Sequence, residues 1–188
     1  MNDKMLEKAI QLFDTPEKWD AFCELCNSRE EIEKRWWIKL LNEIEKRERK
    51  SGMPDWDICV KDENIWWYIK GENDDTLLIN FWKEDTRVYF DEGLSPKKVK
   101  DFLKNPKFEV IKNCFDRNEG SDNEEVICLE KHNFSFGDNV SEQTLLWFSG
   151  NKTEELADQI IAKVRKFQTH EITALFKEII KNCRKTRR

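Results

Sequence analysis

The sequence has little of what interrupts secondary structure. Six glycines and four prolines are scattered through 188 residues. They are too few for a linker-rich chain and too dispersed for a phosphate loop or a dinucleotide-binding turn, both of which need clustered glycines. Histidine is nearly absent. His132 and His170 are far apart in sequence, and neither has an adjacent nucleophile or orienting acid to nominate it for catalysis. No apolar run approaches the ~20 residues that span a bilayer, and the polar opening Met1-Asn2-Asp3-Lys4 does not read as a secretory signal. Nor does one sign of charge dominate. The formal net charge of −5 argues against nucleic-acid or anionic-membrane binding by the surface as a whole. These absences lead to the expectation of one cytoplasmic domain over residues 1–188, with no membrane partner, no cofactor and no bound metal.

Large aromatic residues and charge are what the sequence does have. Twelve Phe and eight Trp accompany 38% hydrophobic and 38% charged residues. A chain of this size buries roughly 70% of the surface that its unfolded state exposes, and the aromatics supply the payload for that core. The six cysteines, Cys23, Cys26, Cys59, Cys114, Cys128 and Cys183, sit mostly inside apolar stretches and read as free thiols rather than as a disulfide framework. Cys23-Glu24-Leu25-Cys26 lacks the second ligand pair that structural zinc needs, so it reads as helix packing.

The segment 3–50 is helical in pattern. Thr15-Pro16 is a helix start, since Thr can cap and Pro suits the first position. Ser28-Arg29-Glu30-Glu31 has capping-box spacing and opens a further helix with Ile32, Trp36, Trp37, Leu40, Leu41 and Ile44 on one face. Alternation of period two then marks strands within 55–91: Trp56–Val60, Ile65–Lys70, Thr76–Lys83 and Thr86–Asp91. Closing each turn-prone link as a hairpin sets Val60 opposite Ile65, Ile58 opposite Trp67, Trp67 opposite Ile79 and Tyr68 opposite Leu78. Around Glu84-Asp85 it sets Phe81 opposite Val88, Asn80 opposite Tyr89 and Trp82 opposite Arg87. One face then carries Trp56, Ile58, Val60, Ile65, Trp67, Ile69, Leu77, Ile79, Phe81, Val88 and Phe90, with no polar residue, and a one-residue slip would destroy it.

In the mixed segment 95–150, Ser95-Pro96 opens a short helix, Phe108–Phe115 fits a helix, Asp116–Glu124 a polar loop and Glu125–Lys131 a fifth strand, while 133–150 has no decisive period. From 153 to 185 runs a long C-terminal helix with a potential break near Thr169-His170. The fold expected is α+β, a four- to five-stranded antiparallel meander packed with N-terminal helices and that C-terminal helix.

No catalytic constellation emerges. Pro54-Asp55 before a strand, with Lys70 on the next, is similar to the opening of the PD-(D/E)XK nuclease pattern. The position two before Lys70 is Tyr68 rather than an acid, so the metal-holding pair of that family is broken. The candidate binding residues are those of the second sheet face, Trp66, Tyr68, Lys70, Asn80, Trp82, Arg87 and Tyr89, with Arg87 placed for a cation–π contact on Trp82. Either helices roof this face, with Trp36-Trp37 among the cover, or it is open as a stacking or protein-binding platform. The C-terminal Lys181, Arg184, Lys185, Arg187 and Arg188 form a basic tail that either suits a helix end or contacts an acidic partner or nucleic acid. The leading expectation is a non-enzymatic module that binds a protein, or itself. Nucleic-acid or nucleotide binding through the sheet face and the tail is the alternative, and an enzyme with a dispersed site the third.

Overall fold

The computed structural model describes residues 3–185; Arg187 and Arg188 of the basic tail lie outside the described residues. Among these the chain forms helices α1 (Asp3–Leu12), α2 (Pro16–Asn27) and α3 (Arg29–Ser51), then strands β1 (Trp56–Lys61), β2 (Asn64–Ile69), β3 (Leu77–Phe81) and β4 (Asp85–Phe90). Next come α4 (Pro96–Phe102), a 3₁₀ turn (Pro106–Phe108), α5 (Glu109–Lys112) and β5 (Val126–Lys131). The short β6 (Asn133–Phe134) and β7 (Gly137–Asp138) precede α6 (Glu142–Asn151), α7 (Thr153–Arg165) and α8 (His170–Cys183). The five strands order as β1-β2-β3-β4-β5, every pair antiparallel. The fold is α+β.

The register follows the alternation through the first two hairpins: Val60 faces Ile65, Ile58 faces Trp67, Trp67 faces Ile79 and Tyr68 faces Leu78. Between β1 and β2 the turn residues Asp62 and Glu63 both take positive φ, 49° and 63°, as a two-residue type I′ hairpin requires. The third hairpin differs. Asn80 faces Arg87, Ile79 faces Val88 and Phe81 faces Thr86, because the link is Lys83-Glu84 and the Trp82 N–H donates to the Asp85 carbonyl at 2.8 Å. The shift from the expected register is two residues, so each side chain keeps its face while its partners change. Period-two alternation is blind to that slip.

One sheet face is the core. Trp56, Ile65, Trp67, Ile69, Leu77, Ile79, Phe81, Val88 and Phe90 are buried with Trp37, Leu40, Leu41 and Ile44 of α3 and with apolar residues of α4, α6, α7 and α8. Polar ends of buried tryptophans fix the helices on it. Trp37 Nε1 donates to the Glu63 carbonyl (2.8 Å), Trp56 Nε1 to Thr173 Oγ1 (3.0 Å) and Trp67 Nε1 to Glu48 Oε2 (3.2 Å). Glu48 also takes both Arg165 nitrogens, Nη2 at 2.6 Å and Nη1 at 3.0 Å, which ties α3 to α7.

The unassigned stretch 133–150 holds α6, capped by Ser141 Oγ, which accepts the Thr144 N–H. Gly150 lets the Trp36 ring lie directly on the α6 backbone, since a Cβ there would stand 2.4 Å from the ring. The long C-terminal helix is two helices. Lys166–Thr169 interrupts it, and Thr169 Oγ1 accepts the Ile172 N–H to start α8. The Ser28 capping box does not form, since its side chain makes no cap bond.

Candidate interaction surfaces

The second sheet face is built by the same alternation that builds the core. Strand pairing assembles two rows across it. Trp66, Asn80, Arg87 and Leu129 form one, and Tyr68, Leu78 and Tyr89 the other. The helices do not roof it: their buried residues join the core on the opposite face, and Leu78 and Leu129, although buried, stand outside that core. Trp36 and Trp37, considered as cover, instead belong with α3 on the core side, where Trp37 stacks on Phe81 at 5.6 Å. Leu78 lies between Tyr68 and Tyr89, and Asn80 between Trp66 and Arg87.

Trp82 is the most open aromatic of the face, 38% exposed. The Arg87 guanidinium sits 4.9 Å from its ring centroid and forms a bidentate pair with Asp85, both bonds 2.6 Å. That pair neutralises the cation and fixes its plane over the indole. Burial pushes the Tyr89 hydroxyl pKa up to about 12, reinforced by the Asp91 carboxylate, so this phenol stays protonated at neutral pH. Burial, then Asp57, also raises Tyr68. On directly opposed residues Trp66 Nε1 and Asn80 Oδ1 are buried with no hydrogen-bond partner, unlike the three core tryptophans. Lys70 is exposed at the end of β2.

The basic tail is partly folded into the body. The Arg184 guanidinium pairs with Glu72, the Lys185 N–H donates to the Gly93 carbonyl (3.0 Å) and the Ser95 N–H to the Cys183 carbonyl (2.8 Å). Lys181 is exposed. Asp55 pairs with Lys177 at 2.8 Å, so the acid of the nuclease-like opening is engaged by a cation. No group of three or more His, Cys, Asp or Glu residues is placed to hold a metal among the described residues.

Sequence reasoning placed the aromatic residues of this face but missed Asp85, whose role follows from the actual turn. It also missed two buried polar groups under the sheet. Lys163 of α7 reaches Glu130 of β5 at 2.7 Å and covers the Phe134 ring at 5.3 Å. His132, fully buried, bonds the Trp82 carbonyl through Nε2 at 2.8 Å and leaves Nδ1 unpaired. Burial lowers its pKa to about 4, helped by the Lys163 charge.

A second surface lies on α1 and α2. No residue of α2 is buried, and five of the large hydrophobics most exposed on this molecule, Ile10, Leu12, Trp19, Phe22 and Leu25, stand on these two helices. Phe13, between the two helices, lies 5.6 Å from Trp19 and 4.5 Å from Phe22. Cys23 and Cys26 share this arm, with Cys26 exposed, so they do not pack in the core. No helix is long and apolar enough to cross a membrane among the described residues. Comparison with known protein families, curated proteins and solved structures returns no match, and geometry alone carries the functional reading.

Proposed function

We propose that this chain is a non-enzymatic interaction module that takes a protein partner on its second sheet face. The observation that carries the reading is a sheet face without a helix layer on which Trp66, Tyr68, Trp82 and Tyr89 stand around buried Leu78 and Asn80. Aromatic side chains with one polar end suit surfaces that are covered only in a complex, and they dominate binding hot spots.

Charge favours protein over nucleic acid. A phosphate binder needs cations free to displace counterions, whereas Arg87 is closed by Asp85 and Arg184 by Glu72. Affinity capture with the full chain, compared with a Trp82→Ala/Tyr89→Ala variant of unchanged circular dichroism, tests the reading. The expected result is a protein retained by the wild type and lost with the variant. Equal retention by both would remove the sheet face as the site. Binding of single-stranded nucleic acid that weakens steeply with salt would favour the alternative instead.

A further inference from the structure

We propose that the free edge of β1 pairs with itself, joined in solution to β1 of a second copy as an antiparallel, twofold ladder centred on Cys59. This goes beyond the sheet-face reading and does not rest on it, since it uses the edge of the sheet rather than its face.

The two edges of the sheet are finished differently. On β5 the Glu119 N–H donates to the Leu129 carbonyl (2.8 Å), and Asn118 Oδ1 accepts the Leu129 N–H (3.3 Å). The pairing of β5 with β4 also breaks register between Val88 and Tyr89. Covering segments and bulges of this kind close an edge against further pairing. Strand β1 has neither. It pairs with β2 alone, in unbroken register over its six residues, and contains no proline. The phase of its backbone is fixed by the Lys70 N–H, which donates to the Asp55 carbonyl at 2.9 Å. Odd-numbered residues therefore bond inward to β2, and the N–H and C=O groups of Ile58 and Val60 point outward. Among the described residues no backbone bond beyond the sheet takes these groups. The edge is accessible: residues 57–60 are half-buried and Lys61 is exposed.

The residues of the edge select a second copy as its occupant, because a twofold contact requires a surface complementary to itself. Outward groups meet outward groups only when the axis passes through a residue of β1 rather than between two. An axis through Ile58 sets Asp57 against Cys59, and one through Val60 sets Ile58 against Asp62. An axis through Cys59 sets Ile58 against Val60 of the second copy and Asp57 against its Lys61, each pairing occurring twice. The product is four backbone hydrogen bonds, two apolar pairs and two opposite-charge pairs, and such cross-strand pairs stabilise a ladder. Both charges are available for it. Lys61 approaches only Asp62 of its own turn, at 4.0 Å, and the Arg49 charge near Asp57 is already paired with Glu45 at 2.6 Å. Cys59 then meets its own copy at a position without backbone bonds, where Cα atoms stand ~4.5 Å apart, within the range that a disulfide spans.

Sedimentation velocity on the full chain tests this, with diamide oxidation to trap the pair. The expected result is a dimer at ~100 μM. Lys61→Asp, which sets Asp57 against a second carboxylate, should weaken it at least ~10-fold with unchanged circular dichroism. Asp57→Lys/Lys61→Asp exchanges the charges and should restore it. In a Cys23→Ser/Cys26→Ser background diamide should link two copies, and adding Cys59→Ser should abolish that product. A wild type still monomeric at ~100 μM would overturn the proposal and leave the edge to a strand of another protein. A dimer indifferent to Lys61→Asp, a charge exchange that fails to restore pairing, or a linked product that persists without Cys59 would overturn it as well. The Trp82→Ala/Tyr89→Ala variant should remain a dimer, so the sheet-face reading stands or falls separately, on capture by that variant.

Discussion

Replacing Trp67 or Trp82 with alanine removes the same side chain from opposite faces of one sheet, so the pair measures directly what each face contributes. Trp67 is 1% exposed in the core and donates to Glu48. Its removal leaves a cavity among residues held by α3 and α7, at a cost of ~4–5 kcal/mol. Trp82 is already 38% exposed, and its ring carries the Arg87 contact. Beyond what alanine itself would bury, the change uncovers roughly 80 Å² of apolar area, or about 2 kcal/mol at ~25 cal/mol/Å², less for a compact unfolded chain. A lost cation–π contact of ~0.5–1 kcal/mol offsets that reduction, so the total stays near 2 kcal/mol. Urea denaturation followed by circular dichroism reads both. With a slope of ~2 kcal/mol/M, the Trp67→Ala midpoint should fall about 1–1.5 M below that of Trp82→Ala. If the two midpoints agreed within ~0.3 M, Trp82 would be as embedded as Trp67, and the second face would be structural rather than available to a partner.

Two further outcomes follow from single contacts. His132 is buried and neutral, with a pKa near 4 against an unfolded value of about 6.5, so the unfolded chain binds the extra proton first. Its contribution is present above pH 6.5 and lost as pH falls from there towards 4. The loss reaches about 3 kcal/mol at 1.36 kcal/mol per pKa unit. Urea titrations at pH 7 and pH 4.5 should show a smaller decrement for His132→Gln, and an equal decrement would mean that His132 is not the titrating group. Gly150→Ala should destabilise by ~1–3 kcal/mol although alanine is the better helix former by ~1 kcal/mol, because the added Cβ meets the Trp36 ring. A raised melting temperature in that variant would contradict the close approach.

The parts of the fold legible in the sequence are those whose chemistry is local. Alternation in Trp56–Val60 and Ile65–Lys70 assigns faces because each second residue must be apolar to enter the core. It leaves the β3–β4 register undetermined by two residues, since Phe81 meets either Thr86 or Val88 with every face unchanged. That is why Trp82 and Arg87 were found, while Asp85, which fixes the guanidinium, was not. Lys163–Glu130 and Arg165–Glu48 were illegible for another reason: each joins a helix to an element far away in sequence. A charged residue on a helix looks solvated until the fold brings its partner. The break at Lys166–Thr169 is similar, because Phe167 and Gln168 are both buried there, and the apolar pattern continues through the interruption.

The arm shows a different limit. A stripe of period 3.6 reports that one side of a helix is apolar, but not whether anything lies against it. Trp19, Phe22 and Cys26 on α2 have the same kind of spacing as Trp37, Leu40 and Ile44 on α3, yet the first set is uncovered and the second is core. The spacing of Ser28 and Glu31 suggests a capping box that opens α3. In the structure Ser28 makes no side-chain cap bond, and its non-helical backbone, φ −93° and ψ 3°, ends α2 and begins α3 while bonding the Glu24 carbonyl and the Ile32 N–H. The apolar pattern of α2 is thus as regular as that of α3, and Trp19, Phe22 and Cys26 nevertheless stand exposed.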